Sequence, residues 1–233
     1  MRNPSFNFKQ FTVWHDRCAM KVGTDGVLLG AWCSADNADF ALDIGTGSGL
    51  IALMLAQRTQ AKVIGIDIDA DAVAQAANNF RQSPFAARLT ALQADFAAFA
   101  PAQSFGLIVS NPPFFAEDTA SPNSQRDQAR RATNLPLSVL LSGAKKLLAP
   151  GGKVAIVVPQ SQAAEAVFQA SQCGLHLCRR CDVRSTPAKP PLRALLEWTD
   201  RPCQSQISAL CLHGEGGARS DDYARLTEDF NLK

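Results

Sequence analysis

The chain has 233 residues, 46% of them hydrophobic and 19% charged, which suits one α/β domain with a sizeable core. No apolar run approaches the roughly 20 residues that span a bilayer, and the opening Met1-Arg2-Asn3-Pro4-Ser5 leads into no export signal, so a cytoplasmic protein is expected. A formal net charge of +2 excludes neither a nucleic acid nor a small ligand, whereas seven cysteines, an odd number, argue for reduced thiols over a disulfide framework.

Residues 1–40 precede the first parallel strand and read as an N-terminal cap, in which Phe6, Phe8, Phe11 and Trp14 fold a small hairpin onto the domain and His15 packs beside them. Strands are then predicted over Ala41–Gly45, Lys62–Ile68, Leu89–Asp95, Phe105–Asn111, Lys153–Pro159, Leu175–Arg184, Ala194–Thr199 and Gln206–His213. Helices are predicted between them over Gly49–Gln57, Asp71–Phe80, Leu137–Leu148 and Gln162–Ser171, with a last one over Asp221–Phe230. Successive β–α alternation makes the sheet mostly parallel and doubly wound, and the helix-poor run after Ser171 makes its C-terminal edge antiparallel. Residues 1–233 thus form a single domain, with a core over 41–160 and the sheet edge over 161–233. The segment Ala116–Pro136 is a loop of unusual length, rich in Ser, Pro, Asn and Arg, and its place after a strand end favours function. Charge is uneven: residues 43–99 hold four basic and five acidic side chains, residues 121–153 six basic and one acidic.

Asp43-Ile44-Gly45-Thr46-Gly47-Ser48-Gly49 stands where a strand ends and a helix begins. Glycines at alternate positions let the chain turn sharply and bring helix N-terminal amides against a ligand, although a merely tight turn would use them too. A dinucleotide fingerprint needs its third glycine at position 50, which is Leu50, so a nicotinamide dehydrogenase is disfavoured. The motif resembles motif I of the class I S-adenosylmethionine-dependent methyltransferases, which implies their Rossmann-like, seven-stranded fold and that cofactor. Gly45, Gly47, Gly49 and Asp43 are its candidate cofactor residues. Asp67 ends the next strand, where a carboxylate accepts from both ribose hydroxyls, while Asp69 and Asp71 cap and charge the following helix. By the same resemblance Asp95 and Phe96, after the third strand, contact the adenine. Thr24 and Asp25, in Gly23-Thr24-Asp25-Gly26, either fold over the methionine end of the cofactor or cap a short helix.

Asn111-Pro112-Pro113-Phe114 follows a buried strand at its carboxyl end, where open α/β sheets bind ligands. An amine conjugated to a purine or an amide is a poor nucleophile. Two acceptors, the Asn111 side-chain oxygen and the Pro112 carbonyl, draw its lone pair out of the π-system, and Pro113 and Pro112 restrict the backbone that aims them. Phe114 supplies a stacking face for a base. In-line positioning supplies much of the rate, so no nucleophile–histidine pair is needed, and Asn111 also borders the cofactor.

This order of motifs resembles the amino-methyltransferases. The segments Phe8-Lys9-Gln10-Phe11 and His15-Asp16-Arg17-Cys18-Ala19-Met20-Lys21-Val22-Gly23-Thr24-Asp25-Gly26 resemble the bacterial tRNA(Val) adenine-37 N(6)-methyltransferases in particular. Many of those carry Tyr at the place of Phe114. The resemblance implies tRNA as partner and an anticodon-loop adenine as substrate. Lys9, Arg126, Arg130, Arg131, Lys189 and Arg193 are the candidate RNA contacts, although solvated surface charge explains any one of them as well. A protein-glutamine methyltransferase acting on release factors is the alternative enzyme, and an RNA-binding module that kept the fold is the alternative without catalysis. No metal is expected: Cys173, His176, Cys178 and Cys181 lack the distant second pair of a tetrahedral site, and a strand points Cys178 and Cys181 to opposite faces.

Overall fold

Eight strands, the number that periodicity predicts and one more than the resemblance implies, form the central sheet in the computed structural model, which describes residues 3–18, 20–36, 38–113 and 135–230. A hairpin comes first, β1 (Ser5–Asn7) and β2 (Thr12–Trp14), then α1 (Thr24–Trp32). The alternation β3 (Phe40–Ile44), α2 (Leu50–Arg58), β4 (Lys62–Asp67), α3 (Ala70–Gln82), β5 (Leu89–Gln93) and β6 (Phe105–Ser110) builds one half of the sheet. The other half holds α4 (Leu137–Leu147), β7 (Leu148–Pro159), α5 (Ala163–Gln172), β8 (His176–Arg184), β9 (Arg193–Thr199), β10 (Gln206–Cys211) and α6 (Asp221–Leu226). The spatial order is β10-β8-β9-β7-β6-β3-β4-β5. Only β9 runs against its neighbours, pairing antiparallel with both β7 and β8, while the edge strand β10 pairs parallel with β8.

Helices cover both faces, so the central strands read as continuous apolar runs whose alternate residues serve opposite cores. Ala41, Leu107, Val109, Ala155 and Val157 pack with α1, α2, α3 and the hairpin. Leu42, Ile44, Ile108, Ile156 and Val158 pack with α4, α5 and Trp198. Helix α1 buries every residue from Gly26 to Trp32, and so carries no amphipathic period that would announce its full length. It meets α2 at close range: a Cβ on Gly30 would stand 2.7 Å from the Met54 sulfur, and one on Gly26 3.0 Å from Leu50 Cδ2.

Two polar residues on the buried face of α3 moor the hairpin. Asn79, 1% exposed, accepts from Trp14 N at 3.1 Å and donates through Nδ2 to the carbonyls of Trp14 and Ser48, each at 2.8 Å. Gln75 accepts from Arg17 N at 3.1 Å. Asn79→Ala strands these backbone groups and is expected to cost about 1–3 kcal/mol in urea unfolding, with faster proteolysis near Arg17. Unchanged stability and protection would refute the mooring.

Candidate active site

Strands β3, β4 and β6 pair in parallel with Ile44 level with Ile66 on one side and Ser110 on the other. The next residue in each strand path is a candidate: Gly45, Asp67 and Asn111. The row is tied together beyond the ladder. Gly45 N and Thr46 N both donate to the Ile66 carbonyl at 2.9 Å, and Ser110 Oγ donates to the Ile44 carbonyl at 2.9 Å.

The glycine turn is left-handed at three places, with φ of +70° at Gly45, +54° at Gly47 and +81° at Gly49. Their surroundings differ. A Cβ on Gly45 or Gly47 would meet nothing within 4 Å, so both backbones face open space, whereas one on Gly49 would lie 2.4 Å from Phe80 Cε1. Gly49 therefore serves helix packing, and Gly45 and Gly47 leave a cradle in which a ligand can approach the main chain. Gly65, which the sequence did not single out, belongs to the same device: a Cβ there would strike Thr46 Oγ1 at 2.6 Å.

The carboxylate of Asp67 joins two loops, its Oδ2 accepting from Gly47 N at 2.9 Å and its Oδ1 from Asp69 N at 3.0 Å. Each oxygen keeps capacity for a further donor, as a ribose diol supplies. Asp69 caps α3 by accepting from Asp71 N at 3.0 Å, as expected. Asp95 likewise caps the short turn Phe96–Ala98, accepting from Ala97 N at 2.9 Å. Phe96 is 8% exposed and faces inward, against α4 at Gly143.

Asp43 is 1% exposed, and its Oδ2 accepts from Thr46 Oγ1 at 2.7 Å and Ala52 N at 3.2 Å. Its Oδ1 is buried without a hydrogen-bond partner among the described residues. Burial pushes the carboxyl up to about 7, against those two hydrogen bonds and with help from the charge of Asp67. Burial and then Asp67, Asp69, Asp16 and Asp71 raise the Cys18 thiol to about 12, so the segment that follows the hairpin shares the acidic field of this end. An orphaned buried oxygen, an open glycine cradle and converging carboxylates together suit a ligand that carries positive charge, amines and a ribose.

Asn111 is half-buried, Pro112 buried and Pro113 exposed. The amino end of α1 forms the facing wall, since a Cβ on Gly26 would come within 3.9 Å of Asn111 Nδ2. Gly23, not Thr24 or Asp25, stands at the helix cap, and among the described residues no side chain caps it; Thr24 is exposed in the first turn. Asp25 Oδ2 instead accepts from Arg193 Nε at 2.9 Å, so two residues expected to serve different ligands are bonded to each other. Lys189 lies exposed in the β8–β9 turn at this same end. Lys9 is elsewhere. Its Nζ donates to the Glu228 carbonyl, beside the last turn of α2, where Gln57 Nε2 donates to the Asp229 carbonyl at 2.8 Å, and α2 has by then run back to the opposite end of the sheet. His15 is buried and structural: Nδ1 accepts from Val22 N at 3.4 Å and Nε2 donates to the Asn3 carbonyl at 3.1 Å. Phe114, Arg126, Arg130 and Arg131 lie outside the described residues.

Comparison with known proteins gives concordant findings. The family model described as methyltransferase small domain matches residues 27–176. A curated protein of Parabacteroides distasonis, named tRNA1(Val) (adenine(37)-N6)-methyltransferase, is 45% identical, with all of each chain covered. One of the same name from Klebsiella pneumoniae subsp. pneumoniae is 43% identical over 97% of this chain and 94% of its own. Among solved structures, a predicted O-methyltransferase from Agrobacterium tumefaciens superposes with a TM-score of 0.72 at 18% identity, over 88% of this chain and 96% of that one. The N-methyltransferase NodS from Bradyrhizobium japonicum, in complex with S-adenosyl-l-homocysteine, gives 0.53 at 18% identity over 75% and 84%. These two likenesses carry the fold alone: a class I methyltransferase fold.

The raised Asp43 carboxyl fixes a sign. The folded state holds this proton more tightly than the unfolded chain, so Asp43 lowers stability progressively as the pH rises from about 4 to about 7 and evenly above that. Asp43→Asn removes this slope and is expected to gain about 4 kcal/mol on the wild type between those limits in urea unfolding. Parallel stability–pH curves for the two proteins would contradict it.

Proposed function

We propose that this chain, which belongs to the methyltransferase small domain family and to the tRNA1(Val) (adenine(37)-N6)-methyltransferases within it, methylates the exocyclic amine of an adenine in tRNA, adenine 37 of tRNA(Val). S-adenosylmethionine is the methyl donor, and when bound it supplies a methyl group made electrophilic by its sulfonium. The chain's own residues do the rest. Gly45 and Gly47, their amides bonded to the Ile66 carbonyl and to Asp67, leave open space in which the cofactor can lie along the main chain. Gly49 holds their turn against α3, Asp67 accepts from the ribose hydroxyls, and Asp95 bounds the adenine side, where Phe96 supports the turn from beneath by packing against α4. Asp43, whose carboxyl burial raises to about 7, contributes negative charge beneath a cationic ligand in its ionised form, which such a ligand favours.

Asn111 and Pro112 accept from the two N–H groups of the substrate amine, which localises its lone pair on nitrogen and aims it at the methyl group. Pro113 and Phe114 complete the base site, Phe114 by stacking. Lys189 meets the RNA backbone at this edge, and the sequence offers Arg126, Arg130 and Arg131, outside the described residues, as further phosphate contacts. Such a substrate places the enzyme in the cytoplasm. One observation carries the reading: Gly45, Asp67 and Asn111 each follow the same row of the sheet, which brings a cofactor cradle and an amine-holding motif side by side.

Labelled S-adenosylmethionine offered with unmodified tRNA, and in parallel with a release factor, is expected to yield N6-methyladenosine in the tRNA; label on the protein alone would move the function to glutamine. Asn111→Ala is expected to lower kcat about 100- to 1000-fold while affinity for S-adenosylhomocysteine, read by calorimetry, changes little. Equal loss of both would assign Asn111 to the fold.

A further inference from the structure

Helix α1 is strapped along β9 at two points. Near its carboxyl end, Ser34 donates to the buried Glu197 through N at 2.7 Å and Oγ at 2.9 Å, and Arg179 Nη1 donates to the Trp32 carbonyl at 3.2 Å. At its amino end the tie is Arg193 to Asp25, at 2.9 Å. Arg193 and Glu197 lie on one face of β9, because residues four apart in a strand share a face. The spans are compatible: four strand residues cover about 13 Å, and the helix from Asp25 to Trp32 covers about 10.5 Å, with the non-helical Cys33 carrying the chain on to Ser34. The two ties therefore fix both the height and the direction of α1.

The amino-end tie is the one that bears on the reaction. It is the end that faces Asn111, and it lacks a side-chain cap; its first backbone hydrogen bond, Val27 N to the Gly23 carbonyl, is long at 3.3 Å. Arg193 is itself held, with Nη1 donating to the Leu192 carbonyl at 3.0 Å and its backbone opposite Pro159, the last residue of β7. We infer that Arg193 is a positioning residue, which through Asp25 sets the amino end of α1 against Asn111 and so shapes the space in which the amine and the methyl donor meet. This rests on the function proposed above. It also gives the Arg193 charge a partner within the protein in place of an RNA phosphate.

Kinetics on tRNA separates these roles. Arg193→Ala and Asp25→Asn are each expected to lower kcat about tenfold to a hundredfold, the cost of a slightly displaced wall, with KM for tRNA within about twofold of the wild type. Combined, they should lose no more than the larger single loss, since they break one tie, and Arg193→Lys should recover part of it. Arg193→Ala that raises KM for tRNA and flattens its salt dependence by about one charge, with kcat intact, would overturn the inference in favour of a phosphate contact. Asp25→Asn that weakens S-adenosylhomocysteine binding while Arg193→Ala does not would overturn it in favour of a cofactor ligand. Hydrogen exchange tests the tie without any substrate, so it stands even if wild-type enzyme proves inactive on tRNA. Amides of the first turn of α1 should exchange at least about tenfold faster in both variants, while those around Ser34 stay protected and report an intact fold. Unchanged exchange in the first turn would refute the tie.

Discussion

In-register parallel pairing across β5, β4, β3, β6 and β7 sets Leu92, Ile66, Ile44, Ser110 and Ile156 in one row, and everything at the ligand end depends on that row. Order along the sheet reverses between β3 and β6, because the chain builds outward from β3 through β4 to β5 and then returns to its other side. Open α/β sheets bind ligands at such a switch point. Gly45 and Asn111 are the first residues beyond the row on its two sides, so the chemistry follows from where the strands stop. Buried backbone pairing supplies the rigidity that a displacement reaction needs, and short loops carry the few groups that differ between enzymes of this architecture.

Charge divides the same edge. Asp43, Asp67, Asp69 and Asp95 gather on the β3–β5 side, where Asp67 and Asp95 are already drawn into holding backbone amides. These carboxylates organise the loops first and remain available to a cation second, which is why their geometry is set before any ligand arrives. On the β7–β9 side the basic residues are in part neutralised from within: Arg180 lies 2.8 Å from Asp182 and, further down the sheet towards its opposite end, Lys153 3.8 Å from Glu197. Exposed Lys189 belongs to a different class from these and from Arg193, although sequence alone makes them equivalent.

Much of this was legible in the sequence. The strand and helix succession, the glycine turn and the acidic strand ends are local signals, and most boundaries fell within a few residues, although β7 begins at Leu148, five residues before the predicted Lys153, because the Pro150-Gly151-Gly152 stretch that reads as a turn lies within the strand. The exceptions are physical. Helix α1 went unread at full length because it is buried all round and carries two glycines that serve its crossing with α2. The last helix ends at Leu226, short of Phe230, because the chain turns there to bury that ring. The eighth strand, β10, was legible as Gln206–His213 from its periodicity and exceeds only the seven that the resemblance implied; it lies beyond β8 as an added edge. Long-range polar contacts left no local trace: Asn79 reaching Trp14, or Asp25 meeting Arg193 across 168 positions of chain. The polar Gln75 and Asn79 on an otherwise apolar helix face were the one clue.

Hydrogen exchange of the wild-type protein with and without S-adenosylhomocysteine tests the central claim most directly. Slowed exchange at 45–49 and 67–69, with the turn at 95–97, is the predicted result, since the ligand would lie along the row and shield amides on both sides of Asp67. Protection confined to the groove between Phe96, Phe99, Val139 and Lys146, on the far side of that turn, would contradict the account.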